Sequence, residues 1–263
     1  MNALAPHQPV VFITGASSGI GQALALRYYR AGYRLALVAR RTGVVADWAT
    51  AEQLEPQRWA VYAADVADAA SMAAAAQQCI AQQGLPAVVI ASAGISIGVD
   101  TALADDLPVF QQVVTTNLFG TAATFQPFIE PMRQRGQGAL VGVASVAAIR
   151  GLAGHGAYCA SKSGVVAYCE SLRLECRAAG VKVVTIVPGY IDTPLTRGNA
   201  YSMPFLMTAE AFAERAFRAI AQGDSYRVIP WQMGVVAKLM RLLPNGVFDR
   251  LFSGRARKKR AAD

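Results

Sequence analysis

The chain has 263 residues, of which 54% are hydrophobic and 16% are charged. This composition favours one α/β domain with a large core and excludes an intrinsically disordered protein. The formal net charge is +8, but residues 255–263 alone contribute +4 of it through five basic side chains and one acid, so we expect no nucleic-acid-binding face on the fold itself.

Secretion, membrane insertion and metal binding are not expected from the sequence. Residues 1–9 lack the basic start and apolar run of a signal peptide, and no uninterrupted apolar stretch reaches the ~18 residues that a transmembrane helix requires. With only two histidines, a metal site is not expected. The cysteines show no Cys-x-x-Cys spacing and are expected to be buried free thiols in a reducing cytoplasm: Cys79, Cys159, Cys169 and Cys176.

A glycine-rich turn at residues 14–21 follows directly on the first predicted strand, residues 10–13. A helix is predicted from the end of this turn to about residue 31. Strand, turn and helix in this order form the structural context in which a dinucleotide is bound, because glycines permit close backbone approach and the helix N-terminus faces the pyrophosphate. The turn therefore predicts a dinucleotide site.

Arg40 and Arg41 follow the second predicted strand, residues 34–39. A site for NAD places an acidic residue at this point to bind the ribose 2′-hydroxyl, whereas this strand ends in Ala39. Arginine suits the additional phosphate of NADP, with Ser17 as a further contact, so the pattern favours NADP(H) over NAD(H). The alternative is a pair of solvated arginines at the start of a helix.

The remaining elements alternate between short apolar runs and longer segments with helical patterns. Strands are predicted at residues 59–63, 87–91, 139–144, 181–187 and 226–229, and helices near residues 43–53, 69–83, 108–135, 156–178 and 209–222. Such alternation implies parallel strands joined by right-handed crossovers. We therefore predict an α/β fold: a Rossmann-type doubly wound parallel sheet of about seven strands with helices on both faces, in a single domain.

Tyr158 and Lys162 lie four residues apart in a predicted helix, which places them on one helical face about one turn apart. The pKa of an ordinary tyrosine is near ~10, and a neighbouring cation stabilises the phenolate and lowers that value. Taken alone, the pair also fits the exposed surface of an amphipathic helix. Ser145 ends the preceding strand, at the edge of the sheet where this class of fold binds its substrate.

Two further polar residues have alternative explanations. Asn117 lies inside the predicted helix 108–135, either because it has a function or because it is exposed at a bend. His155, three residues before Tyr158, is expected to line a loop or pocket wall rather than to act as a base.

Over residues 8–230 these motifs resemble the short-chain dehydrogenase/reductase family in order and spacing. The matching positions are the turn at residues 14–21, Asp65, Gly94, Asn117, Ser145, Tyr158, Lys162 and residues 188–193. The resemblance implies hydride transfer between nicotinamide and a substrate carbonyl carbon, with Tyr158 as acid or base and Ser145 bound to the substrate oxygen. It further implies that Lys162 holds the nicotinamide ribose and that Asn117 holds a water molecule.

The resemblance also implies a cofactor site assembled from the glycine-rich turn and several strand ends. Its members are Gly15, Ser17, Ser18, Gly19, Ile20, Gly21, Arg40, Arg41, Asp65, Val66, Ser92, Ala93, Gly94, Tyr158, Lys162, Pro188, Gly189, Ile191 and Thr193. Asp65 and Val66 are expected at the adenine, and Ile191 and Thr193 at the nicotinamide carboxamide. The family usually carries Asn-Asn-Ala-Gly where this chain has Ala-Ser-Ala-Gly, so Ser92 predicts a slightly altered contact near the adenine ribose.

The C-terminal third is expected to select the substrate. A catalytic domain, residues 1–230, contains a substrate loop at residues 190–208 that is rich in Met and aromatic side chains, which predicts a small apolar carbonyl or alcohol substrate. Residues 231–263 form an extension with an amphipathic helix and a basic tail. We expect this extension to cover the pocket or a subunit interface, with a solvated tail; peripheral contact of residues 231–260 with an anionic membrane is the alternative.

These predictions converge on an NADP(H)-dependent oxidoreductase that interconverts a hydrophobic ketone or aldehyde and its alcohol. The resemblance implies a homodimer or homotetramer with contacts through the helices 108–135 and 156–178, in the cytoplasm. The same cofactor used for epimerase or dehydratase chemistry is one alternative. A non-catalytic protein that senses a dinucleotide or is recruited to membranes is another, which the intact set of Ser145, Tyr158 and Lys162 argues against.

Overall fold

The computed structural model describes residues 8–199, 201–254 and 257–260. At its centre is a seven-stranded sheet in which every adjacent pair of strands is parallel. Its strands are β1 Val10–Thr14, β2 Arg34–Ala39, β3 Trp59–Ala63, β4 Val88–Ala91, β5 Gly138–Val143, β6 Val181–Pro188 and β9 Tyr226–Ile229; two short strands, β7 Ile191–Asp192 and β8 Met207–Thr208, pair separately. The spatial order β3-β2-β1-β4-β5-β6-β9 confirms the doubly wound sheet.

Helices cover both faces of this sheet. They are α1 Gly19–Arg30, α2 Thr42–Ala51, α3 Ala69–Gln83, α4 Leu107–Val114, α5 Gly120–Arg135, α6 Gly156–Arg177, α7 Ala209–Gln222, α8 Trp231–Leu242 and α9 Asn245–Phe252. The helices α1, α2 and α7 bury their apolar stripes in one core, and α3, α5 and α6 bury theirs in the other. The four cysteines are free and buried, as predicted.

The order of the strands reverses between β1 and β4, and this reversal places the site. In an open parallel sheet, ligands bind outside the carboxyl ends of the strands at such a switch point. The strands β1 and β4 are buried over their whole length, which explains why they read as continuous apolar runs. The loops that follow β1, β4 and β5 therefore meet above the same edge.

The predicted single helix 108–135 is interrupted. A π-helical turn, Thr115–Phe119, separates α4 from α5 and turns the side chain of Asn117 inward, where it is fully buried. The interpretation of Asn117 as an exposed residue at a bend is therefore wrong. Local π-helical turns are often found at functional sites, because they redirect one side chain without ending the helix.

The C-terminal extension packs on the same side of the sheet as the loop that follows β5. Arg150 in that loop donates hydrogen bonds to the carbonyl oxygens of Met240, Arg241 and Leu243, at 2.9–3.1 Å, and stacks its guanidinium on Phe248. The carbonyls at the end of α8 thus find a charged donor that caps the helix.

The prediction of a free, solvated tail is wrong for residues 257–260, which lie against the fold, although the side chains of Arg257 and Lys259 stay exposed. Arg260 forms an isolated parallel bridge with Gly98 and ion-pairs with the buried carboxylate of Asp106. Burying that carboxylate without a partner would be costly, so the pair fixes the tail on the fold. Arg255, which also belongs to the predicted tail, lies outside the described residues. Within the described part of the chain, no helix has the length and apolarity to cross a membrane.

Candidate active site

The glycine-rich turn joins the end of β1 to the start of α1. Gly15 and Gly19 have positive φ angles of 72° and 57°, and a Cβ on Gly21 would collide with the carbonyl oxygen of Gly15. Ser18 precedes α1 without a side-chain cap, and the first helical turn contains no acid. Because its N–H groups have no side-chain acceptor, this helix N-terminus fits the pyrophosphate of a dinucleotide.

The loop after β4 is held against this turn by hydrogen bonds from its backbone N–H groups to the Thr14 side chain. Thr14 Oγ1 accepts hydrogen bonds from the N–H groups of Ser92 and Ala93, at 3.2 and 3.3 Å. A Cβ on Gly15 would lie 2.8 Å from Ala93 Cα, so the two segments touch. Since the contacts of Ser92 with Thr14 use its main chain, a serine in place of the family's usual asparagine leaves this junction intact.

The ends of β2 and β3 bring Arg40 and Asp65 together. Arg40 Nη1 lies 3.4 Å from Asp65 Oδ2, and the arginine side chain is 70% exposed. An exposed ion pair of this kind contributes about 0–1 kcal/mol, so Arg40 can exchange the carboxylate for another anion at little cost. Arg41 is also exposed, and the two guanidinium groups fit a phosphate at this edge of the site.

The segment that follows β6 closes the cofactor side. Thr193 is buried, and a Cβ placed on Gly19 would lie 3.1 Å from the Cβ of Thr193. Ile191 is buried in β7, directly beyond Pro188 and Gly189. The structure therefore places residues 188–193 beside the glycine-rich turn.

The helix α6 positions the proposed catalytic pair. Val165, Cys169 and Leu172 bury one stripe of α6 against the sheet, and a Cβ on Gly142 of β5 would lie only 2.6 Å from Cys169 Sγ. The close packing that glycine permits brings the first turns of α6 to the end of β5. Tyr158 lies there beside Ser145, whose hydroxyl favours the phenolate and opposes the rise of its pKa.

Lys162 is buried one turn further along α6. Its ammonium donates a 2.8 Å hydrogen bond to the carbonyl oxygen of Val143 and lies 5.9 Å from the centre of the Tyr158 ring. Burial lowers the pKa of Lys162 to about 8. A pKa of about 8 lies above neutral pH, so the protonated form predominates there and supplies a cation in a region of low polarity.

The pKa of Tyr158 is shifted in the direction opposite to the sequence expectation. Desolvation raises it above the ordinary value, the hydrogen bond with Ser145 opposes that rise, and the thiol of Cys159 adds to it. Among the protein groups, Ser145 rather than Lys162 stabilises the phenolate, because the lysine ammonium is directed at Val143. Lowering of this pKa by Lys162 stays a prediction for the complex with a dinucleotide.

Asn117 ties the loop after β4 to α6. Its Oδ1 accepts from the N–H of Ile95 at 2.8 Å, and its Nδ2 donates to the carbonyl of Ile95 and to Ser161 Oγ, both at 3.0 Å. Ser161 in turn donates to the carbonyl oxygen of Tyr158 at 2.9 Å. A Cβ on Gly94 would lie 3.2 Å from Asn117 Oδ1, so glycine leaves room for this network.

Sequence and structure comparisons identify the family. A family model described as short chain dehydrogenase matches residues 9–202. The chain belongs to the short-chain dehydrogenase/reductase family. It is therefore an NAD(P)-dependent oxidoreductase, and the fold, the turn and the Ser145, Tyr158 and Lys162 cluster fit that membership.

Several members of the family are similar over most of the chain. An uncharacterized oxidoreductase of Myxococcus xanthus (strain DK1622) is 38% identical over 247 residues, which cover 90% of this chain and 93% of that protein. An alcohol dehydrogenase from Thermococcus sibiricus, complexed with 5-hydroxy-NADP, is 25% identical with a TM-score of 0.75 and covers 85% of this chain and 96% of its own. A family member from Burkholderia phymatum, in complex with NAD, has a TM-score of 0.79 at 23% identity and covers 91% and 94%.

Sequence reasoning missed three contributors to this short-chain dehydrogenase site. A serine in a helix, such as Ser161, has no distinctive sequence signal. The contacts of Arg150 are not predictable from the sequence because its acceptors lie about 90 residues away along the chain. Lys258 was assigned to a solvated tail, yet its ammonium reaches the substrate loop. A pattern of charge alone does not reveal long-range contacts of this kind.

We predict that Asn117→Ala lowers the free energy of unfolding by about 2–4 kcal/mol, because it leaves the N–H and carbonyl of Ile95 without their partner. Equilibrium unfolding in urea measures the change. The control is Gln112→Ala, an exposed residue of α4, which is expected to change stability by less than about 0.5 kcal/mol. Equal effects of the two substitutions would contradict the structural role of Asn117.

Proposed function

We propose that this enzyme is an NADP(H)-dependent oxidoreductase that interconverts a hydrophobic ketone or aldehyde and its alcohol, with Tyr158 as the acid or base. The observation that carries the proposal is the position of Tyr158 beside Ser145 and 5.9 Å from the buried ammonium of Lys162, at the carboxyl ends of the strands. Catalysis is assigned to residues 1–230, with the loop 190–208 as the substrate loop and residues 231–263 as an extension.

Tyr158, Ser145 and Lys162 have separate roles in the transfer of the proton. A bound nicotinamide dinucleotide supplies the hydride in reduction or accepts it in oxidation. In reduction Tyr158 donates its hydroxyl proton to the carbonyl oxygen, and in oxidation its phenolate accepts the proton of the alcohol. Ser145 holds that oxygen in place and stabilises the phenolate, and with the dinucleotide bound we expect the ammonium of Lys162 to add to that stabilisation.

The preference for NADP(H) rests on the end of β2. Ala39 stands where a site for NAD carries an acid, and Arg40 and Arg41 present exposed guanidinium groups beside it. An arginine binds a phosphate through charge-assisted, bidentate hydrogen bonds. The oxidoreductase therefore gains affinity from the 2′-phosphate that NAD(H) lacks.

The apolar character of the substrate is supported by the substrate loop. Leu195, Phe205 and Leu206 are each between 41% and 50% exposed in this loop. Covering such side chains with an apolar ligand stabilises the complex by about 25 cal/mol per Å² of apolar surface buried. An apolar carbonyl compound or alcohol meets that requirement.

We propose that the enzyme works in the cytoplasm as a homodimer or homotetramer, and exposed apolar side chains on the outer helices support the assembly. Leu107 on α4, Phe119 in the π-helical turn and Leu174 on α6 are 46–65% exposed. They lie on the helices through which the resemblance implies subunit contacts. The exposed face of α8, with Trp231 and Leu239 at 66% and 59%, is assigned to a subunit contact in preference to a membrane surface.

Tyr158→Phe is expected to reduce turnover of an apolar ketone by at least about 100-fold, because proton transfer by a positioned side chain contributes about 10²–10⁴-fold. Fluorescence titration is expected to show NADPH binding unchanged. The matched control is Tyr168→Phe on the same helix, where the ring stacks on Phe125 and turnover should persist. Unaltered turnover by Tyr158→Phe would remove this residue from the mechanism.

Arg40→Ala is expected to raise the Kd for NADPH about 10- to 100-fold and to leave the Kd for NADH unchanged, because only NADPH carries the phosphate. Titration of both dinucleotides measures the two constants. Arg30→Ala, at the exposed far end of α1, controls for the loss of one positive charge. Equal affinity of the unaltered enzyme for NADPH and NADH would contradict the cofactor preference.

A further inference from the structure

Residues 257–260 lie across three segments close to the start of α6, the helix that carries Tyr158. In the loop after β4, the N–H of Gly98 donates to the carbonyl oxygen of Lys259 at 2.8 Å. In the loop before α6, a Cβ on Gly154 would lie 3.0 Å from Arg257 Cβ. The third segment is the substrate loop, which Lys258 contacts. The tail thus forms a wall across these three segments.

Two cations of this wall are neutralised by acids of the fold. Arg260 donates to both carboxylate oxygens of Asp106, at 2.8 and 3.2 Å, and this arginine lowers the pKa of the buried carboxyl. Arg257 donates to Asp100 at 3.2 Å. The buried pair of Arg260 fixes the backbone of the tail and restrains the two residues between the arginines, Lys258 and Lys259.

Lys258 is different because only neutral oxygens contact its ammonium. Nζ donates to Asn199 Oδ1 at 2.6 Å and to the carbonyl oxygen of Leu195 at 3.3 Å, both in the substrate loop. In the part of the chain that the structure describes, no carboxylate lies within ion-pair distance of this group. Burial lowers the pKa of Lys258, as expected for a partly buried cation without a counter-charge.

Lys258 lies close to the first turn of α6, which carries Tyr158. A Cβ on Gly154 would lie 3.4 Å from the backbone N of Lys258. The next residue, His155, is buried and donates through Nδ1 to the carbonyl oxygen of Ala153. Its Nε2 therefore accepts from the Tyr201 hydroxyl at 3.3 Å, and the two rings pack edge to face with 5.7 Å between their centroids.

We propose that Lys258 binds a carboxylate of the substrate, so that the substrate is an apolar carbonyl compound or alcohol with a carboxylate remote from the reacting carbon. The inference rests on the proposed function and names its substrate class. A carboxylate would supply the counter-charge that the fold does not provide to Lys258. One ammonium matches a monoanion; Arg257 and Arg260, which would suit a phosphate, already bind acids.

The experiment compares keto acids with their primary amides. Methyl ketones from 4-oxopentanoate to 9-oxodecanoate, each paired with its amide, are assayed with NADPH against unaltered enzyme and the variants Lys258→Met, Lys258→Arg and Lys259→Met. We expect the unaltered enzyme to prefer the acid at one chain length. Lys258→Met should lower kcat/KM for that acid about 10- to 100-fold and leave its amide unchanged. Lys258→Arg should retain the preference, as should Lys259→Met, which removes an exposed neighbour.

Four outcomes would overturn the proposal. Preference for the amides at every length would show that the pocket rejects a carboxylate. Equal loss for acid and amide in Lys258→Met would make Lys258 only an anchor of the substrate loop. If the enzyme turns over neither series and no other apolar ketone, the proposed function is wrong, and this inference fails with it. Turnover of the amides without any preference for the acids would refute only the carboxylate site.

Discussion

The active site depends on how closely α6 approaches the end of β5. Gly142 leaves space that Cys169 fills, and a side chain at that position would push the helix away. Close contact brings Tyr158 beside Ser145, which lies three residues after Gly142 in the chain. The carbonyl oxygen of Val143, at the end of β5, also accepts a hydrogen bond from the ammonium of Lys162. The geometry of the catalytic cluster is therefore a consequence of core packing on one face of the sheet.

Desolvation determines how this cluster is charged. It raises the pKa of Tyr158 and lowers that of Lys162 to about 8, so both shifts favour the neutral forms. The hydrogen bond from Ser145 opposes the rise at the phenol. Asn117 contributes no charge, but it satisfies the backbone of Ile95 beside the lysine. Burial thus sets the direction of both pKa shifts, and a few polar contacts reduce their size or satisfy the neighbouring backbone.

Much of this arrangement follows from the sequence, because it is local. The apolar run that becomes β1, the glycines after it and the spacing of Tyr158 and Lys162 each have a pattern that one segment carries by itself. The alternation of strands and helices then determines a parallel sheet, and a parallel sheet determines the edge at which the segments meet. These predictions were confirmed for the fold and the family.

The features that the sequence did not predict arise from contacts between distant segments. The π-helical turn around Asn117 is stabilised by the loop after β4, more than 20 residues away. The tail was predicted to be solvated because five basic residues in nine have the composition of a solvated segment. Its true position depends on Asp106, a single buried acid about 150 residues earlier. A pairing at that separation leaves no local pattern.

The central claim is that Tyr158, held by Ser145, is the group whose ionisation controls the reaction. The most direct measurement is the pH dependence of kcat/KM for alcohol oxidation by the unaltered enzyme and by Ser145→Ala. Oxidation needs the phenolate, so the rate should rise with pH. Removing Ser145 raises the pKa of the phenol and should move that rise to higher pH. An unmoved midpoint, or one moved to lower pH, would contradict the account.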